Sequence, residues 1–319
     1  MRMIDVDYSI LADGFAFPEG PVALNDSSVA LVDIATGLIW RVWLDGRKEV
    51  VADVGGGPNG AALGPDGKLY ICQNGGFDWS GRSRMGLQPP EYRGGSIMRV
   101  DLETGQFETL YTHGSDVPIR SPNDIIFDAD GGFWFTDYGK EREREADVTG
   151  VFYATTDGNQ CEEVIFPINR ANGVGLSPDG KTLYVTETYT VRLWAFELEG
   201  PGRIKIPQSP PAHGPHVHFG HHGKLVASPG GERIFDSLAV DGDGNICIGT
   251  LLEGGITVVS PDGDVAFAPA PDRAVTNICF GGEDLQTAFI TLSGTGRLAA
   301  ARWFTKGLAL PHQSNLSGG

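Results

Sequence analysis

The sequence predicts an all-β protein: a six-bladed β-propeller with a central channel. A unit made of a polar residue, a short apolar strand, a Gly/Asp turn and a second apolar strand recurs six times along the 319 residues. Glycine (46 residues) and proline (20 residues) are spread without a fixed period, as in proteins with many short strands and tight turns. No stretch shows a sustained apolar period of 3.6 residues, so helices are not expected.

Four copies of the repeated unit are clear and two are degenerate. The clear copies read "NGAALGPDGKLYICQ" from Asn59, "NDIIFDADGGFWFTD" from Asn123, "NGVGLSPDGKTLYVTE" from Asn172 and "DSLAVDGDGNICIGT" from Asp236, and the degenerate copies begin at Glu19 and Thr276. One propeller blade of four short strands needs roughly 40 to 50 residues. The two longer intervals contain the Gly/Pro-rich stretches 74–95 and 208–223, which are predicted to be loops.

None of the six units can bury a sheet face alone, so each needs a neighbouring unit. Closing the six into a ring gives every unit two neighbours and leaves few free sheet edges. Residues 1–319 are therefore expected to form a single propeller domain. Within it, residues 1–15 are expected to close the ring by adding a strand to the last blade. Residues 306–319 are expected to form a polar C-terminal tail.

Charge and composition exclude several classes of partner. The formal net charge is −17, which argues against nucleic acid and against anionic membranes. No apolar run approaches the roughly 18 to 20 residues that span a bilayer, and the N-terminus is acidic where a signal peptide would be apolar. The four cysteines lack metal-type C-x-x-C spacing and mostly lie in apolar runs, which favours free buried thiols. A cytoplasmic protein, monomeric or homodimeric, is expected.

The first residue of each unit is the strongest functional signal. In a propeller the first strand of each blade lines the channel, so equivalent positions form a ring around the axis. This ring consists of Glu19, Asn59, Asn123, Asn172, Asp236 and Thr276, and we call it the polar ring. Five of the six are carboxylates or carboxamides, the oxygen ligands that a hard divalent cation prefers. The competing interpretation is that an asparagine before glycine is only a turn residue, but Asn123, Asp236 and Thr276 are not followed by glycine.

The stretches "FPEGPV", "SPNDIIFDADGGFWFTDYG", "NGVGLSPDGKTLYVTET" and "FDSLAVDGDGNICIG" resemble the SMP-30/gluconolactonase family, from about Phe17 to Ile290. The resemblance implies a six-bladed propeller with one divalent cation in its channel and a hydrolase of carboxylic esters that opens a lactone. It implies Glu19, Asn172 and Asp236 as metal ligands, with Asp236 as general base or water-orienting ligand. By the same resemblance, Asn123 lies beside the metal or contacts it through water and substrate, and Asn59 has the register to join it.

Family members that act on sugar lactones place an arginine two residues before the equivalent of Asn123. Here that position is Ser121, and the arginine is Arg120, one residue earlier. Because a strand alternates its faces, the shift argues against a sugar-acid lactone. We group Arg120 and Thr276 with Asn59 and Asn123 as candidate substrate-side residues. The aromatic residues of loop 74–95 either form an apolar pocket wall or pack on one another at the rim.

Several alternatives stay open at this point. The native cation is Ca²⁺, Mg²⁺, Mn²⁺ or Zn²⁺, and the same metal site suits hydrolysis of an organophosphate triester or, without catalysis, a binding propeller. Three carboxylates after second strands, Asp33, Asp137 and Glu187, are either structural or part of the substrate site. Five histidines between 213 and 222 are predicted mainly as a solvated loop.

Overall fold

The computed structural model describes residues 1–80, 87–206 and 221–313. In this part of the chain every regular element is a strand, and no helix is present that is long and apolar enough to cross a membrane. The strands are β1 (Arg2–Met3), β2 (Tyr8–Asp13), β3 (Pro18–Ala23), β4 (Ser28–Asp33), β5 (Leu38–Trp43), β6 (Lys48–Asp53), β7 (Pro58–Leu63), β8 (Leu69–Gln73), β9 (Ser96–Val100), β10 (Phe107–Tyr111), β11 (His113–Gly114), β12 (Val117–Pro118), β13 (Pro122–Phe127), β14 (Phe133–Asp137), β15 (Thr149–Ala154), β16 (Cys161–Ile168), β17 (Ala171–Leu176), β18 (Thr182–Glu187), β19 (Arg192–Gly200), β20 (Arg203–Ile204), β21 (Lys224–Ala227), β22 (Ile234–Val240), β23 (Ile246–Leu251), β24 (Gly255–Val259), β25 (Val265–Pro269), β26 (Val275–Gly281), β27 (Thr287–Leu292) and β28 (Arg297–Arg302).

Apart from the two-stranded sheet of β11 and β12, the strands form six sheets, each built on four antiparallel strands, and these are the blades of a propeller. Blades 1 to 3 are β3–β6, β7–β10 and β13–β16; blade 4 is β17, β18, β19 and β21; blade 5 is β22–β25 and blade 6 is β26, β27, β28 and β2. The first strands β3, β7, β13, β17, β22 and β26 each contact the first strand of the next blade, and β26 contacts β3. This closed circle of inner strands confirms the predicted six-bladed propeller.

The ring closes with a strand from the beginning of the chain. β2 pairs antiparallel with β28, so the outermost strand of blade 6 comes from the N-terminus. β1 lies parallel to β25 and extends blade 5 by one short strand. The two ends of the repeat are therefore hydrogen-bonded to each other, and blade 6 gains a fourth strand that covers the edge of β28.

The hydrophobic core is divided into six clusters, one between each pair of neighbouring blades. Between blades 2 and 3, for example, Tyr70 packs edge to face on Phe127 with ring centroids 5.0 Å apart. Each sheet thus buries both of its faces. This explains why second strands such as β14, "FWFTD", are buried at every position instead of alternating.

The Pro-Asp-Gly turns of the repeat have the predicted geometry. In the hairpin of blade 4, Asp179 Oδ1 accepts a hydrogen bond from the backbone nitrogen of Lys181 at 3.1 Å. Gly180 has φ of +68°, a conformation that glycine adopts without steric cost. These turns lie at the far end of the inner strands from the polar ring.

Candidate metal and catalytic site

The polar ring lies near the beginning of the six inner strands. Asp236 is the third residue of its strand and the other five are the second. Neighbouring blades are in contact at this level all round the ring, so the six residues lie around the channel together. Except for Asp236, which is partly exposed, the members are buried: Glu19, Asn59, Asn123, Asn172 and Thr276.

Every inner strand carries a one-residue bulge at the level of the polar ring. In blade 3, Pro122 pairs with Asp137 and Ile125 pairs with Phe135, so three steps on one strand match two on its partner. A bulge turns consecutive side chains away from strict alternation, and bulges are frequent next to active sites. Here it allows Asp124, next to Asn123, to reach the strands of two other blades.

The glycine that follows Asn172 serves close packing of the blades. Gly173 lies inside β17 and does not have a positive φ. A Cβ atom at Gly173 would lie 2.7 Å from the backbone nitrogen of Leu238 and 2.8 Å from the carbonyl oxygen of Asp236. The inner strands of blades 4 and 5 can approach this closely only because the residue is glycine, so the turn interpretation does not apply to Asn172.

Glu19 is held by groups of its own blade and of blade 6. Its Oε2 accepts hydrogen bonds from Asn277 Nδ2 at 2.8 Å and from the backbone nitrogen of Gly20. Burial raises the pKa of Glu19 to about 7, although hydrogen bonds from Asn277, Gly20 and Thr276 oppose the rise. Its other oxygen, Oε1, is buried and has no hydrogen-bond partner among the described residues.

Asp236 lies among other carboxylates and next to Asn172. Removal from water raises its pKa well above the usual range, and the charges of Glu19 and Asp124 raise it further. A hydrogen bond from Asn172 acts in the opposite direction. The Asn172 carboxamide is fixed by its Nδ2, which donates to Thr188 Oγ1 at 3.1 Å, and its Oδ1 faces Ser237 Oγ at 3.5 Å.

Asp124 is a third carboxylate in the channel, and the sequence reasoning did not identify it. Its Oδ2 accepts a hydrogen bond from the backbone nitrogen of Val174 at 3.1 Å, and it also accepts one from Leu238. Burial and the charge of Glu19 raise its pKa to about 8. Asp124 thus connects blade 3 to the inner strands of blades 4 and 5, in each case at a point two residues after a member of the polar ring, Asn172 or Asp236. The available signal was its place directly after Asn123.

This donor set fits a hard divalent cation. Two buried oxygens at the polar ring, Glu19 Oε1 and Asn123 Oδ1, have no hydrogen-bond partner among the described residues, which is uncommon for buried polar atoms. A cation would satisfy such oxygens and neutralise the mutually repelling carboxylates. The described residues contain no group of three His, Cys, Asp or Glu side chains that could hold a metal, so carboxamide oxygens would have to complete the ligand set.

The remaining predicted substrate-side residues differ in position. Asn59 is buried next to blade 1, where its carbonyl oxygen lies against Gly20. Thr276 is enclosed by hydroxyl groups, with its Oγ1 2.8 Å from Thr291 Oγ1 and 2.6 Å from Ser293 Oγ, and it supports Glu19 as described above. Arg120 is exposed; in the described residues no hydrogen bond or ion pair connects its side chain to the polar ring.

The three carboxylates predicted to follow second strands are the last residues of those strands, and each binds backbone nitrogens. Asp33 accepts hydrogen bonds from the backbone nitrogens of residues 16 and 17, at 2.8 and 2.9 Å. Asp137 binds those of residues 120 and 121, both at 2.7 Å, and Glu187 binds that of residue 169 at 3.1 Å. Each therefore fixes the segment that leads into an inner strand, two or three residues before a member of the polar ring.

Aromatic residues of loop 74–95 lie over the beginning of β3. Trp79 packs on Phe17, two residues before Glu19, with ring centroids 5.4 Å apart, and on Phe77 at 6.1 Å. Trp79 nevertheless keeps 39% of its surface exposed. The loop is fixed by the buried Lys140, whose Nζ donates to the carbonyl oxygen of residue 76 at 2.6 Å. The loop's Met85, and His213, His216 and His218 of the second loop, lie outside the described residues.

Comparison with known proteins agrees with this architecture. The sequence model of the SMP-30/Gluconolactonase/LRE-like region matches residues 17–294. The gluconolactonase of Zymomonas mobilis is 26% identical over 315 residues, which cover 91% of this chain and 80% of that protein. Lactonase drp35 of Staphylococcus haemolyticus is 31% identical over 249 residues, which cover 77% of this chain and 66% of that protein.

A solved structure shows the same fold at lower identity. Regucalcin from Agrobacterium tumefaciens, described as a calcium-binding protein, superposes with a TM-score of 0.73 at 18% identity, covering 97% of this chain and all of that one. Since the family match extends over the six inner strands and every residue of the polar ring, the chain belongs to the SMP-30/gluconolactonase/LRE-like family.

Proposed function

We propose that this chain is a divalent-metal-dependent lactonase, which hydrolyses a cyclic ester to the hydroxy acid. The observation that carries the proposal is a pair of buried oxygens, Glu19 Oε1 and Asn123 Oδ1, for which the described residues offer no hydrogen-bond partner. They lie beside mutually repelling carboxylates at one level of the channel. The named relatives are a gluconolactonase and a lactonase, which supports the reaction class.

The proposed ligands are Glu19, Asn172 and Asp236. When bound, the cation would act as a Lewis acid on the lactone carbonyl and stabilise the negative charge that develops on its oxygen. Oxygen-only ligands favour Ca²⁺, Mg²⁺ or Mn²⁺ over Zn²⁺, and the calcium-binding neighbour of the same fold favours Ca²⁺. Asn277 and Gly20 hold Glu19 Oε2, so that Oε1 remains available as a ligand.

Asp236 is proposed to accept a proton from the attacking water and to transfer it to the departing ring oxygen. Water attacks the carbonyl carbon and passes a proton to the Asp236 carboxylate; the ring C–O bond then breaks and the departing oxygen takes that proton. Burial and neighbouring negative charge raise the proton affinity of Asp236, as a general base requires. A bound cation would lower this proton affinity. The alternative role, in which Asp236 only orients the water, is therefore covered by the same test, which is described below.

Asn123 and Asn59 are proposed to bind substrate or water through their carboxamides. The inner strands of blades 2 and 3 pack tightly here, because a Cβ atom at Gly60 would lie 2.4 Å from the carbonyl oxygen of Asn123. This packing fixes the two backbones relative to each other, which is how a positioned donor contributes to catalysis. Arg120, which is exposed and whose side chain has no hydrogen bond or ion pair to the polar ring among the described residues, stays a predicted substrate-side residue.

The test is a pH-indicator hydrolysis assay on sugar, aliphatic and aromatic lactones and on a phosphotriester. Metal-stripped protein should be inactive, Ca²⁺ should restore lactone hydrolysis, and Asp236→Asn should lower kcat by roughly 10²–10⁴-fold, as for loss of a general base. The matched control is Asp243→Asn, an exposed aspartate of the same blade that should have full activity. Turnover of the phosphotriester alone, or failure to bind any divalent cation, would reject the proposal.

A further inference from the structure

The channel contains a second, chemically different ring three residues beyond the polar ring. Counting three residues on from each member gives Val22, Ala62, Ile126, Gly175, Ala239 and Cys279. None of these side chains is larger than isoleucine, and all six line one cavity of about 510 Å³. We call them the apolar ring. Because their side chains are small, they leave the channel open at this level.

The cavity is separated from the polar ring. Glu19, Asn59 and Asp236 do not line it, whereas Asp124 and Asn277 do. These two side chains have protein partners, since Asp124 Oδ2 accepts from the nitrogen of Val174 and Asn277 Nδ2 donates to Glu19. They therefore close the cavity on the side of the polar ring, with polar atoms that already have hydrogen-bond partners.

The C-terminal segment forms the floor of the cavity. Residues 308–313 line it. The backbone nitrogen of Leu308 donates to the carbonyl oxygen of Val240 at 3.3 Å, and Gln313 Nε2 donates to that of Phe280 at 2.8 Å. His312 packs edge to face on Phe127 with ring centroids 5.6 Å apart. The floor is thus attached to blades 3, 5 and 6, and the segment expected as part of a polar tail is built into the channel.

The lining defines what this cavity would accept. Its walls include the aromatic residues Phe127, Trp134 and Phe280. The described residues that line it carry one ammonium group, from Lys181, against five carboxylates: Asp124, Asp128, Asp130, Asp179 and Glu199. Apolar walls favour an apolar ligand, and the excess of negative charge disfavours an anion. The volume lies within the range of small-molecule pockets.

We propose that this end of the channel is a second binding site for one largely apolar small molecule that carries no negative charge. It is distinct from the proposed lactonase site, and its lining disfavours a hydroxy acid, which is anionic at neutral pH. Recognition is by contact with the apolar ring and the aromatic walls.

The experiment uses two probes that differ by a single sulfonate, N-phenyl-1-naphthylamine and 1-anilinonaphthalene-8-sulfonate. Full-length, Ca²⁺-loaded protein is titrated with each, and probe fluorescence is measured. The neutral probe should bind saturably at one equivalent, at least tenfold more tightly than the sulfonate. Ala239→Phe, which fills the cavity, should weaken binding of the neutral probe at least tenfold, whereas Ala146→Phe, on an exposed loop, should leave it unchanged.

A second measurement covers the case in which Ala239→Phe does not fold. Among the four cysteines only Cys279 is partly exposed; Cys72, Cys161 and Cys247 are buried. The neutral probe should slow modification of Cys279 by a small uncharged thiol reagent, detected by mass spectrometry of the native protein. Absence of saturable binding, equal affinity for the sulfonate, or unchanged Cys279 modification at saturating probe would each overturn the proposal.

Discussion

The polar ring and the apolar ring lie on the same six strands, three residues apart, and differ in almost every physical property. The polar ring has a bulged backbone, carboxylates whose pKa values are raised by burial, and buried oxygens that have no hydrogen-bond partner in the described part of the chain. The apolar ring is made of small side chains around an open cavity. The blades supply the packing that holds both, so the inner strands can carry an unfavourable charge arrangement at one level without losing the fold.

The largest effect is expected when one charge is removed from the polar ring. Glu19→Gln should lower lactone hydrolysis by roughly 10²–10³-fold, because a proposed ligand that stabilises transition-state charge is lost. In the metal-free protein the same change should raise the melting temperature, since it removes a buried carboxylate near Asp236 and Asp124. Glu49→Gln, exposed in the same blade, is the control for both measurements. A metal-free variant that is less stable than the native protein would contradict this account of the ring.

The next largest effect is expected on stability, when the close packing of the inner strands is disturbed. Gly173→Ala should destabilise the protein by about 2–4 kcal/mol, because the new methyl group meets the backbone of blade 5. Gly180 lies at the open tip of the hairpin with φ of +68°, and a Cβ atom there would meet no atom of the described residues within 4 Å. Gly180→Ala should therefore cost only about 1–2 kcal/mol. Urea denaturation measures both. Equal costs would show that the strands of blades 4 and 5 can separate without penalty.

The stability of the metal-free protein should depend on pH through Glu19. Its pKa is raised from 4.5 to about 7 on folding, so the folded protein holds this proton more tightly than the unfolded chain. The stabilisation from Glu19 is therefore present below about pH 4.5 and is lost as pH rises towards 7, by on the order of 3 kcal/mol.

The measurement is the free energy of unfolding in chelator between pH 4 and 8, for native protein and for Glu19→Gln. The difference between the two should favour the native protein less and less as pH rises, and Ca²⁺ should reverse this trend for the native protein only. A difference that stays constant across this range would show that Glu19 does not titrate in the folded state.

The smallest expected effect concerns the loop over the beginning of β3. Trp79→Ala should raise KM about three- to tenfold for lactones with an aromatic substituent and leave kcat unchanged, because an exposed aromatic contact is lost. An unsubstituted aliphatic lactone should show no change. The control is Phe107→Ala, an exposed aromatic on the outer strand of blade 2. An equal rise of KM for all lactones would show that the loop closes the entrance to the site and does not select the substituent.

Much of the fold was predictable because the unit repeats. The polar residue, the strand and a turn rich in Gly and Asp recur six times, and the turn has the sequence Pro-Asp-Gly in the units that begin at Asn59 and Asn172. A turn whose chemistry is local can be predicted from consecutive residues, as at Asp179 and Gly180. The level of the polar ring was predictable for the same reason, since equivalent positions of equivalent units must lie at equivalent places. The assignment of metal ligands among them stays a prediction.

The partners of that ring were not predictable. Asp124 accepts hydrogen bonds from blades 4 and 5, and Asn277 reaches Glu19 across 258 positions of sequence, contacts that no local pattern encodes. The bulge that turns Asp124 towards the neighbouring strands is likewise a property of strand pairing. The structural roles of Asp33, Asp137 and Glu187 could be recognised only in the folded chain, where the backbone nitrogens that they bind lie beside them.

The sequence by itself determined the six blades, the level of the oxygen-rich ring and the excess of negative charge, because each depends on residue type and spacing along the chain. Only the tertiary structure decided which buried oxygens of the described residues have no hydrogen-bond partner, where residues 308–313 lie, and that an apolar cavity continues beyond the polar ring. The physical reason is that hydrogen-bond satisfaction and cavity volume depend on distances between blades, and closure of the ring sets those distances.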